Sequence, residues 1–456
     1  MSDDSTTQCL LFPGIFRRPV VAQFDQREGS SDGGALLLKA ADRHYGLVAG
    51  LASCLRDQRQ ASKIDHSLRE LVGQRVFSIA CGYPDANDSA RLSEDPIHKL
   101  LLDRDPIEGR DLASQPTLSR FENGIGVKEL YRSGEFLAES LIRRHAKRLR
   151  HRAYRVTIDL DPTDDPTHGA QQLSFSNTLR YLVLPSGDGF CQFQRRSRTV
   201  SLRRGVTARQ RDRRGGRGCH AAAFVGDDSS PYSWSADSCT PGWRVRASGP
   251  APVSGRPAQT RVCAMAKNAV LKRVAETGMR RARHLSRRSG KTEHIYGEVR
   301  YKAGKWPHLR RVIIKAEVVR AADKEPRDNP RFVITNMKQS PQWIYEQVYC
   351  QRGDIENRIK ELHDLEIDRT SCTSFWANQF RVLLTAAAYV LMQELRLRAA
   401  GTACARAQVC MLRERLLKLG ARVLVSVRRV VVHLPASFPF LPTFRRVALA
   451  LSAATG

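Results

Sequence analysis

Residues 349–363 read Tyr-Cys-Gln-Arg-Gly-Asp-Ile-Glu-Asn-Arg-Ile-Lys-Glu-Leu-His, and they carry the strongest chemical signal in the chain. Tyr349, Arg352, Glu356 and Ile359/Lys360 recur at helical spacing. A helix from about Pro341 to His363 sets them on or beside one face. A Glu with Arg one turn earlier and Lys one turn later is also the pattern of a surface ion-pair ladder. The complementary stretch lies far upstream. Tyr154 to Leu160 (Tyr-Arg-Val-Thr-Ile-Asp-Leu) reads as a buried strand that runs into Asp161-Pro162-Thr163-Asp164-Asp165-Pro166. Asp159 and Asp161 sit two apart and share one face of that strand. Carboxylates drawn from several elements suit a pair of divalent metals that stabilise in-line displacement at phosphorus. Mg²⁺ takes oxygen ligands and keeps its waters, so a few Asp and Glu suffice. Acidic turns of this kind are also common loop chemistry.

Around these stretches the chain divides by pattern. Residues 1–34 read as a tail and 35–150 as mostly helical. Ala35-Leu36-Leu37-Leu38 opens one helix and Ser67-Leu68-Arg69-Glu70-Leu71-Val72 begins another. Ser114 to Asn123 has a cap-like Ser, an early Pro and an end near Gly124. This short helix reads either as a groove-entering helix or as a plain bundle helix. The basic run Leu141–Arg152 suits phosphate contact or a solvated face. Residues 151–400 form the next division, with β-like runs at Glu293–Ala303, Leu309–Val319 and Phe332–Thr335 and a helix over Phe375–Leu397. Residues 401–456 form an α/β extension, with strands within Val423–Leu434.

Composition bounds the partners. The 456 residues hold 75 Lys+Arg against 46 Asp+Glu, a net charge of +29, and the pI is near 10.2. That balance points first to a polyanion, most often nucleic acid. The longest apolar run, Leu383–Met392, is too short to span a bilayer. The first residues, Met-Ser-Asp-Asp-Ser-Thr-Thr, lack a signal peptide's basic start and apolar core. No membrane partner and a cytoplasmic location are expected. The eleven cysteines form no C-x-x-C pair, so they read as reduced core thiols rather than a zinc ribbon.

Several stretches together resemble the bacterial insertion-sequence transposases of the DDE type, in the group with a Tyr-Arg-Glu-Lys signature. They are "SDGGALLL", "HSLRELVGQRVFSIACGYPDANDSARLSEDP", "SQPTLSRFEN", "IDLDPTDDPTHGAQQLSF", "YCQRGDIENRIKEL", "DRTSCTSFWANQFRVLL" and "VSVRRVVVHLPASFPF". The resemblance implies an α/β, ribonuclease-H-like catalytic domain. That domain is discontinuous, with a helical DNA-binding region before it and an inserted β region ahead of the last acid. It also implies Mg²⁺- or Mn²⁺-dependent cutting and joining of DNA at terminal inverted repeats, by a homodimer. The first catalytic acid maps to Asp161, and Tyr349, Arg352 and Glu356 map to the signature. Asp161 and Glu356 are then metal ligands, and Tyr349 and Arg352 phosphate contacts. The last signature position falls on His363 rather than Lys. Near pH 7 a His is mostly neutral, and Lys360, one turn earlier, is the substitute.

The second acid should lie between Phe175 and Ala264, where the sequence departs from the pattern. Residues 178–262 hold 15 Arg, no Lys, five Asp and no Glu, which is 10 of the +29. A basic insertion without structure, an arginine-rich nucleic-acid arm and translation out of frame all match this composition. Codon arithmetic favours the last. Allowed codons for Leu179–Leu202, read one nucleotide later, can spell YDTWCYLPVMGFVSFNDEAEQYL, a foldable, family-like sequence. Arg246–Pro250 rereads as VRLD, the expected setting of the second acid. On this reading the sheet is short of strands, and Asp188, Asp212, Asp227, Asp228 and Asp237 are not assigned. The chain is then either an impaired transposase or a DNA-binding remnant, with a nuclease lacking strand transfer as a third reading.

Overall fold

The computed structural model describes residues 10–12, 17, 20–22, 25–148, 155–163, 175–176, 182–183, 186–195, 198–203, 243–248, 259–304, 306, 308–322 and 324–453. In chain order these hold β1 (Leu10–Phe12), β2 (Val20–Ala22), β3 (Gly29–Ser30), α1 (Leu36–Tyr45), α2 (Leu47–Ser53), α3 (Leu68–Cys81), α4 (Ala86–Ala90), α5 (Pro96–Leu101), α6 (Gln115–Asn123) and α7 (Val127–Arg148). Then come β4 (Arg155–Thr163), β5 (Phe175–Ser176), β6 (Leu182–Val183), β7 (Ser186–Arg195), β8 (Arg198–Arg203), β9 (Trp243–Ser248), β10 (Gln259–Met265) and α8 (Ala269–Ser289). Next are β11 (Glu293–Tyr301), β12 (Arg310–Val319), β13 (Arg327–Asp328), β14 (Arg331–Thr335), α9 (Pro341–Ile344) and α10 (Gly353–His363). The order ends with α11 (Phe375–Arg398), α12 (Val409–Leu412), β15 (Ala421–Ser426), β16 (Arg429–His433) and α13 (Leu441–Ser452). Two compact units result: residues 1–125 with 364–369 and 380–456, and residues 126–363 with 370–379. The protein is a mixed helix-and-sheet chain.

In the first unit α3 is the central helix, buried from Leu71 to Cys81. Its start is fixed by reciprocal bonds. The Glu70 N–H donates to Ser67 Oγ at 3.2 Å, and the Ser67 N–H donates to Glu70 Oε2 at 2.7 Å. The pair satisfies two of the backbone donors a helix start leaves unpaired. Ser67→Ala should cost about 1 kcal/mol, read as a lower urea midpoint at unchanged slope; an unchanged midpoint would show that the cap is idle. The helix stops at Gly82, whose φ of +94° favours a residue without Cβ. Within residues 380–398, α11 buries Leu383 to Met392 completely, so this apolar run is core. Among the described residues no helix is long and apolar enough to cross a membrane.

The stretch Ser31-Asp32-Gly33-Gly34-Ala35 belongs to this same core. A Cβ on Gly33 would lie 2.6 Å from the Ala421 Cβ, and one on Gly34 would run into the Leu416 carbonyl. The fully buried Asp32 accepts a bond from Lys418 Nζ at 2.7 Å and lies 3.0 Å from His98 Nε2. Burial pushes the Asp32 carboxyl up, but the His98 and Lys418 bonds outweigh it and hold the group below its ordinary value. Cys81 lies beside Asp32 and His98, completing three metal-type donors. The Lys418 ammonium already neutralises the carboxylate, and it would oppose a second cation there.

The second unit is built on one sheet ordered β11-β12-β14-β10-β9-β4-β7-β8, with β13 beside β12. Every ladder in it is antiparallel. The expectation that this sheet lacks strands is corrected, because β7, β8 and β9 all come from within residues 178–262. Within β8 the run Arg198-Thr199-Val200-Ser201-Leu202 keeps the period of two that a ladder needs, with Val200 and Leu202 two apart. One face of the β10, β12 and β14 part packs Val312, Ile314, Phe332 and Ile334 against Leu271, Ala275, Met279 and Ala282 of α8. The other face packs Val262, Ile313 and Val333 under Ile344, Tyr345 and Val348. Both faces are covered, which is why β12 and β14 read as near-continuous apolar runs.

Candidate active site

The helix expected from Pro341 to His363 is present as a continuous run, but it is not uniform. α9 leads into a π-helical turn at Tyr345–Tyr349, a 3₁₀ turn at Cys350–Arg352, and then α10. A 3₁₀ turn advances about 120° per residue instead of about 100°, so three residues carry Glu356 about 60° beyond its place on an unbroken α-helix. Tyr349 and Glu356 therefore stand less nearly in line than their spacing implies. Glu356 and Lys360 are exposed, and Tyr349 and His363 are half-buried. The π turn is packed by rings. Tyr345 lies 5.1 Å from Tyr349 and 5.6 Å from Tyr296, and Lys315 Nζ stands 5.3 Å over the Tyr345 ring. The Tyr296 hydroxyl donates to Glu346 Oε1 at 3.2 Å. Burial, then the neighbouring Glu346 and Tyr349, push the Tyr296 and Tyr345 hydroxyls well above their ordinary values. Both stay protonated at any physiological pH.

Asp161 sits near the end of β4, between β9 and β7. Leu160 falls in one cross-strand row with Trp243, Cys263, Ile334 and Val312. Asp161 is the next position, so alternation puts it on the same face as Ala264, Val333 and Ile313. That is the face on which Ile344, Tyr345 and Val348 pack. β4 lies two strands from β10, a lateral distance of about 10 Å. The register thus brings the Asp161 position and the helical run bearing Glu356 to one face of one sheet. Asp188 on β7 pairs directly with Asp161. The side chains of Asp161 and Arg352 lie outside the described set, as do Asp164, Asp165, Asp212, Asp227, Asp228 and Asp237.

Sequence reasoning missed the support of this site. Nothing in the run Tyr345–Tyr349 marked a π turn, although three tyrosines at 296, 345 and 349 were a signal of aromatic packing. It also missed a basic cleft of about 620 Å³ in the same unit, lined by Arg261, Arg300, Arg310, Arg311 and Lys338, with Glu298 the one acid among the described residues that line it. Arg311 is committed to Glu298 and to the Met337 and Gln339 carbonyls, and Arg310 stacks 4.8 Å over Trp306.

The model of the family described as transposase DDE domain, group 1, matches residues 12–181 and 258–455. The chain belongs to that family of insertion-sequence transposases. No curated protein and no solved structure matches the chain. Domains of this family act on DNA and generally use divalent metal ions. The match contains Asp161, Tyr349, Arg352, Glu356, Lys360 and His363, and it is interrupted at residues 182–257.

Proposed function

We propose that this transposase chain comes from a gene whose frame is displaced over about codons 178–262, and that it binds DNA ends without efficiently cutting them. The observation that carries this reading is the break in the family match at residues 182–257. That break falls inside the segment already set apart by 15 Arg and no Lys. In the intact ancestor a discontinuous, ribonuclease-H-like domain takes Asp161 as its first acid and Glu356 as its last. The second acid belongs to the displaced segment.

Asp and Glu carboxylates are hard oxygen donors and fit Mg²⁺ or Mn²⁺. Asp161 and Glu356 would hold the ion, which supplies charge stabilisation for in-line displacement at a phosphodiester. Arg352 and Tyr349 fix the phosphate beside the scissile bond. Lys360 supplies the positive charge of the signature's last position, where this chain has His363. The helical region 35–150 and the basic cleft grip the terminal inverted repeats, and two copies pair two ends as a homodimer in the cytoplasm.

The test is a gel shift with duplexes carrying the terminal repeats, beside a plasmid cleavage assay in Mg²⁺. A shift without cleavage is expected, unchanged by Asp161→Asn or Glu356→Gln. Metal-dependent cleavage by the chain as encoded, lost on Asp161→Asn, would overturn the impairment. Cutting without end joining would identify a nuclease instead.

A further inference from the structure

The helix α8 carries seven Lys or Arg and one Glu in its 21 residues. Its buried residues, Leu271, Ala275, Met279, Ala282 and Ser286, form one stripe against the sheet. At 100° per residue, Arg273, Arg280, His284 and Arg287 form a second stripe directly opposite, with Lys272, Arg281 and Arg288 at its sides. All seven of these residues are exposed. The acid on the helix, Glu276, is taken by Arg283, which also bonds Asp328 at 2.6 Å. No ion pair engages Arg273, Arg280, Arg281, Arg287 or Arg288 among the described residues. Favourable placement at the helix C-terminus accounts for Arg287 and Arg288. It does not account for Arg273, Arg280 and Arg281, which lie in the first and middle turns.

We propose that the outward face of α8 is a phosphate-contacting surface for duplex DNA, separate from the acid-bearing face of the sheet. The spacing supports a duplex. Arg273 to Arg280 and Arg280 to Arg287 are each about 10.5 Å along the axis, close to the roughly 12 Å width of the major groove. Arginines so spaced reach phosphates on both sides of one groove. Contacts to phosphates position a duplex and carry no sequence information, so binding through this face is expected to be independent of sequence. α8 packs on the opposite side of the sheet from Ile344, Tyr345 and Val348, so DNA held here is held away from the Glu356 helix. The surface therefore suits flanking or target DNA rather than the bond being cut.

This inference rests on the DNA reading above, and its test separates the two. Binding of the full chain to a 30-base-pair duplex of arbitrary sequence is followed by fluorescence anisotropy across a salt series. Each phosphate contact contributes about 0.9 to the slope of log affinity against log salt. The triple variant R273Q/R280Q/R287Q should lower that slope by about 2.7 and weaken binding about 100-fold at 0.15 M salt. All three positions are exposed, so its melting temperature should match the parent's. The variant R273K/R280K/R287K should keep the slope. Equal slopes and affinities for parent and triple variant would overturn the α8 surface while leaving DNA binding intact. Absence of any duplex binding by the parent would overturn both. An equal loss on anionic vesicles would overturn the assignment to duplex DNA in favour of a general polyanion surface.

Discussion

Reading codons 178–262 one nucleotide later should give a chain that cuts DNA in Mg²⁺ at least about 1000-fold faster than the chain as encoded. The size follows from what a missing carboxylate removes. Metal stabilisation of charge at a phosphodiester is worth several kcal/mol, and each 1.36 kcal/mol is a factor of ten in rate. A loss of about 4 kcal/mol gives the stated factor. The residues outside the segment are unchanged in the shifted chain, so any gain belongs to the segment itself. In that chain Asp161→Asn and Glu356→Gln should each abolish cleavage, while the gel shift persists. Asp188, which pairs with Asp161 across β4 and β7, disappears on the shift, so it serves as an internal control. Asp188→Asn in the chain as encoded should change nothing measurable. A frame-shifted chain that folds and binds but still does not cut would show that the second acid is not the only defect.

Replacing Arg75 by Met should destabilise the first unit by about 3–5 kcal/mol, the largest single-residue effect expected on stability. Arg75 is fully buried and Glu122 is 2% exposed. The Arg75 Nε donates to Glu122 Oε1 at 2.6 Å, Nη1 donates to the Asp85 carbonyl at 2.9 Å, and Nη2 donates to the Pro84 carbonyl at 2.7 Å. The Pro84 carbonyl also accepts from Arg381 Nη2 at 2.7 Å. Removing the guanidinium leaves the Glu122 carboxylate buried without its partner, which costs far more than the pair contributes. The double variant R75M/E122L should recover much of the loss, because it removes both charges. Urea unfolding of the two variants measures the difference. A loss below about 1 kcal/mol for Arg75→Met would show that water reaches Glu122 and relieves it. Glu122 lies on α6 and Arg75 on α3, so the pair ties these two helices together. It anchors the helix whose exposed Arg120 and Asn123 face solvent.

Much of this arrangement is written locally. The Ser67/Glu70 spacing marks the start of α3, and the structure contains both bonds that the spacing demands. At α6 the local signal was right about the limits and incomplete about the cause. Ser114 and Pro116 do mark its start, but Ser114 Oγ lies 3.2 Å from Thr117 Oγ1, with no side-chain bond to the backbone there. Alternating and apolar runs mark β11, β12, β14, β15 and β16 nearly to the residue. The π turn at Tyr345–Tyr349 was not legible, because it arises where three tyrosine rings and Lys315 meet from separate elements. The role of Asp32-Gly33-Gly34 was likewise invisible. The residues that close on it, His98, Leu416 and Lys418, are distant in sequence.

The sequence by itself pointed to the family, nominated Asp161 and Glu356 as its acids, and marked out the segment that departs from the family. Each of these depends on residue order, on spacing within one element, or on amino-acid composition. Only the tertiary structure decided that Asp161 and the Glu356 helix meet one face of one sheet, because that depends on the register of β4, β9 and β10. It also decided that the charge of α8 faces outward. An amphipathic helix has a buried side only once the sheet is there to cover it.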